Sequence, residues 1–254
     1  MQTWRGGDGR MAVMRFERCA VRGGAILYDP RWSGNAPELL FDREHWRRRG
    51  RLRELQGGRG GIAVLEHESG TLALRHYRRG GWAARFSADR YLYTGETGVR
   101  SFRELRLHAV LRERGLPVPA PVAALYRRHA AGYEADLITV VIPEAVSLAS
   151  RLTAGGVPLP LWHAIGACLR RFHRAGFDHA DLNAHNILVD ARDGVHLVDL
   201  DRGRLRRPGP WQHRNLRRLQ RSLHKVTRGL PERWGAPQRA QLLQGYRGGA
   251  EVAP

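Results

Sequence analysis

Residues 179–186 read His179-Ala180-Asp181-Leu182-Asn183-Ala184-His185-Asn186, and Asp199-Leu200-Asp201 begins thirteen residues after Asn186. The first stretch follows a helical pattern. Trp162, Ile165, Leu169 and Phe172 fall at helical spacing and predict a helix over about 161–175, with Gly176 just past its end. Residues 187–190 and 195–199 read as strands joined by the turn Ala191-Arg192-Asp193-Gly194. A helix, a polar loop and a tight hairpin in that order bring Asp181, Asn186 and Asp199 together. Taken singly, these residues say little. His179 alone reads as a packed structural histidine, and Asp199 alone as a strand-end residue. Asp201 reads either as a second metal-side carboxylate or as an ion-pair partner of Arg202 or Arg204. A metallohydrolase with His179, Asp181 and His185 as ligands is a further reading. It lacks another His or Asp cluster at useful spacing.

Upstream, residues 62–66 and 71–77 read as two strands joined through His67-Glu68-Ser69-Gly70. The cluster Gly57-Gly58-Arg59-Gly60-Gly61 precedes them. Glycines there let backbone N–H groups approach phosphates, although glycine clusters also mark plain turns. A helix follows over about 101–114, stopped by Gly115 and Pro117. Ser101 and Glu104 have capping-box spacing. Glu104 also shares a helix face with Leu107 and Leu111, so its carboxylate has two readings, cap or inward-facing ion pair with Arg75. Residues 133–142 read as a strand ending at Pro143, and a basic helical tail begins at Trp211. Residues 1–35 show no period and read as a loose lead-in, 36–143 as a strand-rich N-lobe and 144–254 as a mainly helical C-lobe. The fold class expected is α+β, with two lobes.

The 254 residues are 42% hydrophobic, which argues for a packed core and against a disordered chain. Cys19 and Cys168 lie far apart without metal-ligand spacing, and suit a reducing compartment. The most apolar run, 137–142, is far short of the ~20 residues that span a bilayer, and residues 1–22 do not read as a signal peptide. The net charge of +19 is almost all arginine, Lys225 being the sole lysine. Such a charge reflects either base composition or an anionic partner. The arginines are spread along the chain without a nucleic-acid motif, so no specific nucleic-acid partner is expected, and no protein partner can be inferred.

The stretch 179–186 with Asp199 resembles the catalytic loop and metal motif of the protein-kinase superfamily, H-x-D-L-x-x-x-N followed after a hairpin by D-F-G or D-x-D. The resemblance implies a two-lobed kinase-like fold using ATP and Mg2+. In it Asp181 orients the acceptor hydroxyl as catalytic residue, while Asn186 and Asp199 hold the metal. It also implies that Gly57, Gly58, Gly60 and Gly61 cradle nucleotide phosphates. Arg75, paired with Glu104, stands where the superfamily has a lysine. That exchange alone would also suit an inactive kinase-like protein, because arginine's planar head is not equivalent to an ammonium. Only a short segment separates Asp201 from Pro208-Gly209-Pro210-Trp211, which leaves little room for peptide docking and favours a small or lipid-linked acceptor.

The similarity then narrows to one family. Leu74-Arg75-His76-Tyr77-Arg78-Arg79-Gly80-Gly81, the run Gly115 to Val122, His179 to Leu188, Asp199 to Gly203 and Asn215 to Leu223 resemble 3-deoxy-D-manno-octulosonic acid (Kdo) kinases, over about residues 38–225. In that family an arginine in the L-R-H-Y segment is usual. The resemblance implies phosphorylation of the 4-hydroxyl of Kdo on a lipid A precursor (Kdo-lipid IVA), in lipopolysaccharide core assembly. It implies a peripheral protein on the anionic cytoplasmic side of the inner membrane. Arg78, Arg79, Arg202 and Arg204 flank the expected site and are the expected substrate contacts. A kinase of the same fold acting on a heptose or another small alcohol is the nearest alternative.

Overall fold

The computed structural model describes residues 14–33, 36–55, 61–77, 91–129 and 132–248. The chain divides into two compact units. The first comprises 1–105, 109–115 and 121–139, and the second 106–108, 116–120 and 140–254.

In the first unit, β1 (Glu17–Val21), β2 (Gly24–Tyr28), β3 (Leu52–Leu55), β4 (Ile62–His67), β5 (Gly70–His76), β6 (Tyr91–Leu92), β7 (Pro121–His129) and β8 (Gly132–Val140) form one sheet. Its order is β1-β2-β7-β8-β5-β4-β3, with β6 also paired to β8. The pairs β1–β2, β2–β7, β7–β8, β4–β5 and β3–β4 run antiparallel. The sheet needs cover on both faces. Short 3-10 turns at Pro30–Trp32 and Pro37–Phe41 and the helix α1 (Arg43–Arg48) follow β2, and they bury Leu40, Phe41 and Trp46. The helix α2 (Arg100–Glu113) buries Phe102 and Leu105 against Ala25, Leu27, Tyr126, Tyr133 and Leu137 of the sheet.

One expectation is corrected here. Residues 1–35 are not a featureless lead-in, because β1 and β2 lie within them; β2 buries Ala25, Ile26 and Leu27. Arginines and glycines around those few apolar residues hide the strand from a periodicity reading. β7 continues the Pro-rich stretch before it, and its buried alanines give little hydrophobic signal. The hairpin of β4 and β5 and the strand β8 lie close to where the sequence predicts them.

The second unit is mainly helical. It contains β9 (Val146–Ser147), α3 (Leu148–Ala154), α4 (Leu159–Arg174), β10 (Phe177–Asp178), β11 (Ile187–Val189), β12 (Val195–Leu197), β13 (Arg204–Leu205), α5 (Trp211–Val226), a 3-10 turn at Pro231–Arg233 and α6 (Ala236–Arg247). The predicted helix at 161–175 is α4, which buries Trp162, Ile165, Leu169 and Phe172. Gly176 takes the left-handed conformation that ends it, φ 78°. α4 lies unusually close to α6. A Cβ added at Gly166 would collide with the backbone of Leu242, and one at Gly245 with that of His163, so each helix presents a glycine to the other's backbone. Among the described residues no helix is long and apolar enough to cross a membrane. The architecture is the α+β arrangement expected, sheet-rich first and helical second, and is consistent with a kinase-like fold.

Candidate active site

The polar loop between β10 and β11 is held by its own side chains and by α5. Asp181 donates its backbone N–H to His179 Nδ1 at 3.2 Å, and His179 Nε2 lies 3.0 Å from the Val198 carbonyl. An N–H can only donate and a carbonyl only accept, so His179 is the neutral tautomer protonated at Nε2. The ring is 1% exposed, and both nitrogens are engaged. His179 is therefore a structural bridge rather than a metal ligand, which removes the metallohydrolase reading. Among the described residues no three His, Cys, Asp or Glu side chains gather into a metal-holding group.

Asp181 is exposed at the loop surface. Asn183 Nδ2 reaches its carbonyl at 3.0 Å and its carboxylate Oδ2 at 3.2 Å. Asn186 Nδ2 donates to the same Asp181 carbonyl at 2.9 Å. That bond orients the Asn186 amide and leaves its oxygen as the end able to coordinate a cation. Asn183 Oδ1 in turn accepts from the backbone of His185 (2.9 Å) and Asn186 (3.3 Å), tightening the turn. Asp181 and Asn186 are thus brought together as expected. Asp199 is joined to them through its neighbour, because Val198 N–H donates to the Asn186 carbonyl at 3.1 Å while Val198 O binds His179.

Asp199 is half-buried, with φ 56°. A β-branched or bulky residue would be strained there, and aspartate pays a smaller penalty. The predicted strand over 195–199 ends earlier, at Leu197, because this left-handed turn breaks the ladder and turns the carboxylate out of the strand register. Strain of this kind concentrates where a side chain must be aimed. Arg202 also has positive φ, 60°, and both Arg202 and Arg204 are exposed.

Three residues of α5 support the loop, and sequence reading assigned none of them a role. Asn215 is 2% exposed; its Oδ1 accepts from His179 N–H at 3.1 Å and its Nδ2 donates to Asp178 Oδ1 at 2.9 Å. Arg218 Nη1 donates to the Ala180 carbonyl. Ser222 Oγ accepts from Ala184 N–H at 3.1 Å. Positions 215, 218 and 222 share one helix face, so a polar stripe beside a leucine stripe was the available signal.

In the first unit, Arg75 and Glu104 meet. Arg75 Nη2 is 2.5 Å from Glu104 Oε2, and the Tyr77 hydroxyl donates to that oxygen at the same distance. The capping-box reading of Glu104 is therefore corrected. α2 starts one residue earlier, with Val99 as its N-cap, and Ser101 lies inside the helix, its hydroxyl donating to the Leu125 carbonyl at 3.0 Å. A buried hydroxyl that finds a sheet carbonyl has no need of the helix end. Gly57, Gly58 and Gly60 lie outside the described residues, as do Arg78 and Arg79. Gly61 is described, with φ 34°, and β3 pairs with β4 so that Leu55 faces Ile62 on either side of the glycine cluster.

Residues 43–246 match the model of the Lipopolysaccharide kinase (Kdo/WaaP) family. The 3-deoxy-D-manno-octulosonic acid kinase of Xanthomonas euvesicatoria pv. vesicatoria (strain 85-10) is 48% identical over 204 residues, 80% of this chain and 81% of that protein. The protein of the same name from Stenotrophomonas maltophilia (strain K279a) is 46% identical over equal shares. A match over four-fifths of the sequence, with the loop and ion pair assembled as described, identifies the chain as a member of the lipopolysaccharide kinase (Kdo/WaaP) family.

Proposed function

We propose that this chain transfers the terminal phosphoryl group of ATP to the 4-hydroxyl of a Kdo sugar on a lipid A precursor, Kdo-lipid IVA, in lipopolysaccharide core assembly. The observation that carries the reading is the fixed pairing of Asp181 and Asn186 through the Asp181 carbonyl, tied by Val198 to the turned-out Asp199. Asp181 orients the acceptor hydroxyl and takes its proton. Its exposed carboxylate, steadied by Asn183, is suited to a large soluble-headed acceptor. The Asn186 amide oxygen and the Asp199 carboxylate are hard oxygen donors of the kind Mg2+ takes, and they would hold it. When bound, the metal neutralises phosphate charge. Arg75, held by Glu104, contacts the nucleotide phosphates, as do the backbone amides around Gly57, Gly58, Gly60 and Gly61. Residues 36–143 thus bind nucleotide and 144–254 carry the catalytic loop.

Residues 202–228 hold ten arginines and lysines and no aspartate or glutamate. Arg202, Arg204, Arg207, Arg214, Arg217 and Arg221 are exposed. This cationic segment supports attachment to an anionic bilayer face, the cytoplasmic side of the inner membrane, where each cation contributes about 1 kcal/mol. Arg202 and Arg204, next to Asp199, together with Arg78 and Arg79, are assigned to the acceptor's carboxylate and phosphates.

The test is to incubate the protein with ATP, Mg2+ and Kdo-lipid IVA and follow the acceptor by mass spectrometry. Gain of one phosphate is expected. Asp181→Asn and Asp199→Asn should each lower turnover about a thousandfold, ~4 kcal/mol of transition-state stabilisation, with unchanged melting. Turnover on a heptose acceptor but not on Kdo would move the substrate assignment, and near-normal turnover by the Asp199 variant would remove the metal assignment.

A further inference from the structure

Side chains alternate along a strand, so Arg75 and Tyr77 of the β5 end share one face while His76 points to the other, 2.8 Å from Asp136. On the shared face lies Glu104 of α2, 3% exposed. A single carboxylate oxygen, Glu104 Oε2, takes both the Arg75 Nη2 donor and the Tyr77 hydroxyl. The Arg75 guanidinium carbon also lies 4.7 Å from the Tyr77 ring centroid, within cation–π range. Tyr77 is itself immobilised. It is 4% exposed, its backbone N–H donates to Ala135 O at 2.9 Å, and it packs in the core cluster with Phe102 and Leu105. Burial, followed by the nearby Glu104 charge, pushes its hydroxyl well above the ordinary tyrosine pKa, so it remains a donor.

An ammonium is a point charge and has no plane to orient. A guanidinium is a flat fork, and its usefulness toward phosphate oxygens depends on how that fork is turned. The bond from Nη2 to Glu104 by itself leaves the fork free to turn. A ring beside the guanidinium, belonging to the residue that also pins the carboxylate, closes that freedom.

We propose that Tyr77 is a positioning residue for nucleotide binding, fixing the Arg75 guanidinium from two sides and so allowing arginine to serve on a strand where an ammonium would need no such support. The inference rests on the reading of Arg75 as a phosphate contact. It concerns Tyr77, which touches neither nucleotide nor acceptor.

The experiment is a double-mutant cycle of Tyr77→Leu, which removes both the ring and the hydroxyl, and Arg75→Lys. It is read by equilibrium binding of MgATP, by KM and kcat for ATP, and by melting temperature. Tyr77→Leu should weaken MgATP binding and raise KM for ATP about tenfold, with a smaller change in kcat. In the Arg75→Lys background the same substitution should change MgATP binding less than about twofold, because no plane remains to be turned. A residue of merely structural importance would lower the melting temperature and leave the two backgrounds equal in their loss of binding. Equal loss, or no loss, overturns the proposal. Should Tyr77→Leu fold poorly, Tyr77→Phe carries the test, since it keeps the ring and removes the hydroxyl that pins Glu104 Oε2: weaker MgATP binding at an unchanged melting temperature is expected, and unchanged binding overturns the proposal. Wild-type protein that bound no MgATP would overturn the underlying kinase reading as well, a result distinct from an additive cycle in a protein that phosphorylates Kdo.

Discussion

Replacing Asn215 by alanine tests whether α5 positions the polar loop. The side chain makes two bonds in a 2% exposed position, accepting from His179 N–H and donating to Asp178 Oδ1. Each such bond contributes about 1 kcal/mol net, and the buried His179 N–H left unpaired costs about 1–3 kcal/mol more. Asp178 loses less, because Arg206 remains 3.0 Å from its other oxygen. The sum is a loss of about 2–5 kcal/mol, or roughly 5–15 °C in melting temperature for a chain of this size. Turnover should fall further than the folded fraction, because His179 holds both Asp181 N–H and the residue before Asp199. Asn215→Asp separates the two bonds. It keeps the acceptor for His179 but sets a carboxylate against Asp178, so one of the pair must hold its proton more tightly than in the unfolded chain. That stability is present below the unfolded carboxylate pKa of about 4 and is lost as pH rises through the higher folded value. The aspartate variant should therefore be closer to wild type at pH 4.5 than at pH 7.5. Urea unfolding at the two pH values, with phosphoryl transfer at pH 7.5, would decide the matter. Wild-type stability and turnover in Asn215→Ala would refute the positioning role of α5.

Gly245→Ala should destabilise the second unit by at least about 3 kcal/mol, because its Cβ would collide with His163 O and the helices α4 and α6 would have to separate; thermal melting reads this directly, and an unchanged melting temperature would show the close approach to be wrong. His173 is buried beside Trp211 and Tyr246, and burial above all lowers its pKa from 6.5 to about 4. The unfolded chain binds a proton there from about pH 6.5 downward while the native protein resists until about 4, so stability falls as pH drops through that window, by up to about 3 kcal/mol. A His173→Gln variant should lose that slope in urea unfolding measured from pH 7 to 4.5; an equal slope in both proteins would remove His173 as its source.

Much of the second unit could be read from the residues themselves. Trp162, Ile165, Leu169 and Phe172 repeat at helical spacing, and α4 buries them all. The order of helix, polar loop, hairpin and acidic cluster also survives in the folded chain, because each step is local: a turn or a short hairpin leaves the backbone few alternatives. What is local was less legible where apolar residues are few. β2 and β7 carry only short apolar stretches, bounded by Gly23 and Arg22 in one and by Arg127 and Arg128 in the other, and they become strands because neighbouring strands pair with them.

The sequence by itself determined the loop with Asp181 and Asn186, the hairpin that leads to Asp199, and a strand arginine followed by a helix glutamate, since these follow from spacing along one chain. The tertiary structure decided between the two readings of Glu104. Val99 begins the helix, Ser101 turns to Leu125, and Arg75 and Tyr77 come from another strand to claim the carboxylate. It alone placed Asn215, Arg218 and Ser222 under the loop, 38 residues apart in the chain for Arg218 and Ala180. A partner's identity in these cases depends on which buried polar group is left needing a bond once the core has packed, and that need does not exist until distant segments have met.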